Sequence, residues 1–187
     1  MVYTNLQAVK ANLHGMFESS RMRATEVGHL YDALVKDEDG NEIEIDNGVA
    51  VRIGDFTGNG LQEVNATVAK VTDKIAVTGA PANIKDAFTT QQKQAYNYVN
   101  IAGNPVKTYE VVEEDIFAVA SYQFTDASTA NVKVGSYVVL DGNGAYVAQT
   151  TEPDATTHGF VGKIHSITTG TFYTMVRILV LQNKDVA

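Results

Sequence analysis

Four histidines, no cysteine and twenty-two carboxylates are the material from which this chain would build nucleophilic, acid/base or metal chemistry. The lack of cysteine removes thiolate nucleophiles, thiolate metal sites and disulfides together, and it fits folding in a reducing compartment. His14, His29, His158 and His165 share no ligand spacing of the His-Glu-x-x-His kind, and no Gly-x-Ser-x-Gly marks a serine nucleophile. One pair has a spacing suited to proton transfer: in TTEPDATTHG, His158 follows Asp154 by four residues. The same pair reads as a loop histidine beside a turn aspartate, so a small hydrolase built on it stands behind two non-catalytic readings. His165 alternates with Ile164 along a strand and is expected to point away from the core. Glu113, Glu114 and Asp115 are consecutive, and alternating direction with mutual repulsion makes them a solvated turn before a glycosidase pair.

Three loops carry oxygen-rich side chains. Asp32 to Asp46 holds seven acidic residues and one lysine, which reads as a solvated hairpin. Asp37, Asp39 and Asn41 resemble the first ligands of an EF-hand loop. The glycine, however, falls fourth instead of sixth, and Gly48 stands where the bidentate glutamate belongs. Gly54-Asp55-Phe56-Thr57-Gly58-Asn59-Gly60 is a turn cluster without the spacing of a phosphate-cradling loop. Asp141-Gly142-Asn143-Gly144 offers one carboxylate where calcium wants several, and its glycines suit the positive φ of a tight hairpin, so it reads as a corner. No metal and no cofactor is expected.

The elements around these loops are strands. Val49, Val51 and Ile53 alternate with polar or small residues, as do Val64, Ala66 and Val68, and Lys74–Val77 continues the pattern. Further strands are expected at 107–112, 116–121, 131–134, 136–140, 145–149, 160–167 and 172–181. One short helix, capped by Thr89 or Thr90, is expected over 91–96 and ended by Gly103-Asn104-Pro105. Short strands at regular spacing with glycine-rich turns predict an all-β, mainly antiparallel fold. The division expected is an extended arm over 1–36, a β-rich region over 37–120, and a small β-barrel or sandwich over 121–187, with the break at 121–130.

A net charge of −8, with fourteen basic residues scattered along the chain, argues against nucleic acid as the partner. No apolar run approaches the roughly 20 residues that span a bilayer. The N-terminus also lacks the pattern of a signal peptide, so synthesis in the cytoplasm and no membrane partner are expected. Function is then expected on surfaces. In the arm, Leu6, Val9, Leu13, Met16, Phe17 and Met22 keep no single helical period and suit lying along another protein. In the last strand, Val176, Ile178 and Val180 point one way while Met175, Leu179 and Leu181 point the other. One face of such a strand meets the core, and the other is a candidate interface.

Several segments in order resemble the head decoration, or cement, proteins of tailed phages. They are Asn100-Ile101-Ala102-Gly103-Asn104-Pro105-Val106-Lys107-Thr108-Tyr109, then Glu114-Asp115-Ile116-Phe117-Ala118-Val119, then Val134-Gly135-Ser136-Tyr137-Val138-Val139-Leu140 with its turn, and Gly159-Phe160-Val161-Gly162-Lys163-Ile164. The resemblance spans about 75–183, and Glu114 stands where the family commonly has glycine. It implies a non-catalytic protein on the capsid exterior, bound in many copies to the major capsid protein and often a homotrimer. The alternative is a carbohydrate- or host-surface-binding module using tyrosines and phenylalanines such as Tyr137, Tyr146, Phe160 and Tyr173, although the chain has no tryptophan.

Overall fold

The computed structural model describes residues 14–22, 29–60, 62–80, 98–170 and 173–186. Among them, eleven strands run in chain order: β1 (Phe17–Arg21), β2 (Leu30–Lys36), β3 (Ala50–Phe56), β4 (Glu63–Val68), β5 (Ala76–Thr78), β6 (Val106–Glu110), β7 (Ile116–Ala120), β8 (Tyr137–Leu140), β9 (Tyr146–Gln149), β10 (Phe160–Thr169) and β11 (Thr174–Asn183). The fold is all-β. The helix expected at 91–96 lies outside the described residues.

Two bodies divide these strands. β2, β4, β3, β5 and β6 close into a barrel, and β1, β7, β11, β10, β8 and β9 form an open six-stranded sheet in that order. All barrel pairs are antiparallel except β2 with β4, which run parallel. The alternation read in the sequence sets the barrel interior: Val51, Val64, Ala66, Ala33 and Val106 are buried together, with Ile53 and Val49 packed against them. The closed barrel therefore belongs to the N-terminal half, whereas the sequence put the barrel-like module after residue 121. Strand spacing reports that strands exist, and closure depends on long-range pairing that spacing does not encode.

The change from barrel to sheet falls at 111–115, ahead of the 121–130 stretch, which instead forms two short 3₁₀ turns, Ser121–Gln123 and Asp126–Asn131. The arm expected over 1–36 is also resolved differently where it is described. β1 pairs with β7 at one edge of the sheet, and β2 is a barrel strand. An irregular register between Glu18 and Arg21 breaks the two-residue alternation of β1, which is why no period showed there.

One core joins the two bodies. Ala50, Ala69, Ile75 and Val77 of the barrel side pack with Phe117, Phe160, Tyr146, Val176 and Ile178 of the sheet. Phe117 lies with its ring centroid 6.2 Å from that of Tyr146 and 6.3 Å from that of Phe160, separations at which aromatic pairs attract. Tyr146 is fully buried and donates its hydroxyl hydrogen bond to the Gly48 carbonyl at 3.0 Å, which satisfies its polar tip inside the core. Asn183 does the same work at the end of β11. Its amide accepts from the Ile75 N–H at 2.8 Å and donates to the Ile75 and Val111 carbonyls.

Polar groups also fix the loops on the barrel. Asn47 is buried; its side chain donates to the Ala80 carbonyl and accepts from the Ala80 N–H, both at 2.9 Å, and from Asn100 at 3.0 Å. The β8–β9 corner docks there too. Gly144 has φ +77, and a Cβ on it would meet Val49 and Val68 at 2.8 Å and the Ala50 carbonyl at 2.9 Å. Only glycine satisfies both the angle and the space.

Candidate interaction surface

Two histidine–carboxylate pairs do occur, neither of them the pair with suggestive spacing. Aspartate 46 takes a ring nitrogen of His14 at 2.8 Å on one oxygen and the Gly15 N–H at 2.9 Å on the other. Tyr122 donates to the His14 carbonyl, and Gln123 accepts from Met16 and donates to the Asn47 carbonyl. Burial, with the Asp46 charge next, pushes the Tyr122 phenol well above its usual range, so it stays a donor. The other ring nitrogen of His14, Nε2, is buried and meets no hydrogen-bond partner among the described residues. The cluster ties His14, Gly15 and Met16, just ahead of β1, to Asp46 and Asn47 of the barrel side and to Tyr122 and Gln123 after β7.

The second pair sits at the start of β2. His29 meets one oxygen of Glu110 at 3.1 Å, and the Lys74 ammonium binds the other. Burial pushes the Glu110 carboxyl up, but the hydrogen bonds from Lys74 and His29 outweigh it and hold the group below its ordinary range. Both partners lie far off in sequence, so local spacing carried no trace of either cluster.

The oxygen-rich loops are occupied by their own backbones. Asp154 accepts from the Thr156 N–H at 2.8 Å and its hydroxyl at 2.7 Å, which lowers its pKa, while His158 turns to the Asp154 carbonyl and the Thr157 hydroxyl. The carboxylate and imidazole do not pair. Asp37 accepts from the N–H groups of Asp39 and Asn41, and Asp141 from those of Asn143 and Ala145, which are the bonds of turns. The corner at 141–144 thus folds as the sequence implied. Asp115 is buried and accepts from the Val112 N–H, and Glu114 carries φ +71, the one positive φ outside glycine among the described residues. The turn keeps the shape a glycine would give. His165 is exposed, as its alternation implied. Among the described residues no three His, Asp or Glu gather as a metal cluster, and no helix is long and apolar enough to cross a membrane.

An open groove of about 660 Å³ runs beside the barrel, lined by Lys36, Asp37, Arg52, Lys70, Asp73 and Asn143 among others. Two of its cations are paired: Arg52 binds Asp73 at 3.2 Å and Lys70 binds Glu38 at 2.8 Å.

The interface candidates separate into three groups. Leu6, Val9 and Leu13 lie outside the described residues. Met16, Met22 and Met175 are buried within the chain, and Phe17 packs on Tyr109 and Phe117. Met16 and Met175 cover Ala118 and Ala120 on the outer face of the sheet, where Tyr122 and Tyr173 join them. At that end the outer face is covered from within the chain. Leu179 is half-buried and Leu181 is 40% exposed, on the same outer face, beyond the reach of that cover. Leu179 pairs across the sheet with Ile116 of β7 and Lys163 of β10, and Lys163 pairs with Tyr137 of β8. Side chains at paired positions share a face, so this is one row across the strands.

No family model, curated protein or solved structure matches the chain.

Proposed function

We propose that this chain is a structural protein of a tailed-phage head that binds the outside of the capsid lattice and stabilises the expanded shell, without catalysis. The observation that carries the reading is the open outer face of the six-stranded sheet, where half-buried Ile116 and Leu179 and exposed Leu181 form one apolar patch beside a closed barrel and one shared core. A rigid β body with an uncovered apolar patch on a sheet face suits lattice attachment, in which many modest contacts add up. The order and spacing of the segments from Asn100 to Ile164 support the same reading. The major capsid protein is then the partner, with self-association into trimers on the lattice.

The test is addition of the purified chain to expanded capsids that lack it. Saturable binding and a higher temperature of capsid disruption are expected; capsids that take up none of it and break at the same temperature would sink the proposal. The carbohydrate reading draws less support. Tyr146 and Phe160 are wholly buried, which leaves Tyr137 and Tyr173 without an aligned aromatic platform.

A further inference from the structure

The outer face of the sheet differs from the rest of the molecule in charge. The row of paired positions can be followed over five strands: Arg21 of β1, Ile116 of β7, Leu179 of β11, Lys163 of β10 and Tyr137 of β8. Arg21 is exposed, and neither it nor Lys163 meets a carboxylate among the described residues. The Lys163 ammonium lies 5.1 Å above the Tyr137 ring, which keeps it raised over the face. Arg177, two positions before Leu179 and on the same face, stands 3.8 Å from Glu18. The strands thus present three cations and one carboxylate here, on a chain of net charge −8. The barrel presents the reverse, with Glu38, Asp39, Glu42 and Glu44 exposed on one loop.

We propose that this face is the docking surface for an acidic protein segment. Strands in a sheet lie about 4.8 Å apart, so three steps from Arg21 to Lys163 span about 14 Å, with Ile116 and Leu179 between them. An extended chain advances about 3.3 Å per residue and turns alternate side chains to one side. Acidic residues at i and i+4 with an apolar residue at i+2 match the spacing of the row. The acidic barrel repels such a segment and the sheet attracts it, so charge selects the orientation as well as the partner. The inference rests on the capsid-binding reading and adds which face attaches and what the capsid must carry opposite it.

The experiment compares the full chain with R21E/K163E and with K133E, a charge reversal at an exposed lysine off the row, after circular dichroism and melting show all three folded alike. Wild type and K133E bind expanded capsids equally and more weakly as salt rises, whereas the double variant binds roughly tenfold or more weakly. Equal binding by the double variant overturns the inference and leaves the capsid reading standing. If wild type binds no capsid, the capsid reading fails and a peptide decides the surface. A Glu-Thr-Val-Thr-Glu peptide that shifts the amide resonances of Ile116 and Leu179, where its lysine counterpart does not, supports the acidic partner; no shift from either overturns it.

Discussion

The barrel and the sheet share a core yet treat their boundaries in opposite ways. The barrel closes on itself, so none of its five strands has an unpaired edge, and its exposed loop is acidic. The sheet ends in β1 and β9 and leaves part of one face uncovered. A closed barrel cannot be extended by another chain, whereas an open sheet can be met at a face or an edge. On the proposed reading the first body supplies stability and the second contact, and the contrast turns on whether the two stand or fall together.

Removing the joint should have the largest effect. Phe117→Ala empties the centre of the aromatic cluster and should cost about 3–5 kcal/mol in urea unfolding. Hydrogen exchange should show protection lost in β3 and β5 of the barrel as well as in β10 and β11. Loss confined to the sheet would make the bodies independent. Gly144→Ala should cost about 2 kcal/mol, because the positive φ strains alanine and its Cβ meets the barrel. Gly142→Ala, with φ +89 but only Val71 at 3.5 Å, should cost about 1 kcal/mol. Equal losses would mean that the corner does not press on the barrel.

Acid should loosen the barrel's own clamp. Since the folded Glu110 carboxyl titrates below its ordinary 4.5, its contribution is complete above about pH 4.5 and is lost as pH falls through the lower folded value. Lys74→Met removes a bond that holds that value down, so the acid midpoint followed by circular dichroism should move to higher pH. An unmoved midpoint would remove Glu110 from the barrel's acid response. The smallest effect should be a gain: Glu114→Gly relieves a left-handed φ at the junction and should raise stability by up to about 1 kcal/mol in the same urea assay.

Local patterns in the sequence reported local structure well. Alternation at Val49, Val51 and Ile53 marked a barrel strand, and the glycines at 142 and 144 marked a corner. What stayed hidden is what depends on distance along the chain. Closure of the barrel needs β2 beside both β4 and β6, and no residue of β2 names its partners. The bonds from His14 to Asp46 and from His29 to Glu110 cross 32 and 81 positions, while Asp154 and His158, four apart, only looked paired. Of the arm's apolar residues, those described, Met16, Phe17 and Met22, pack within the chain itself, which an irregular pattern does not reveal; that Met175, Leu179 and Leu181 share the outer face is legible because strand alternation separates two faces.

The place of β1 also sets an order of events during synthesis. Strands β2 to β6 are continuous in sequence, so the barrel can pair once residue 110 has left the ribosome. β1 is made before any of them, yet its partner β7 begins at Ile116, and β7 in turn leans on β11, which ends at Asn183. At about 5–20 residues per second, β1 waits roughly 8–30 seconds for its seat, while the barrel's half of the shared core stays uncovered. β1, translated ahead of the barrel, is therefore among the last of the described strands to be placed, and nascent chains stalled before β11 would be the forms most prone to clump.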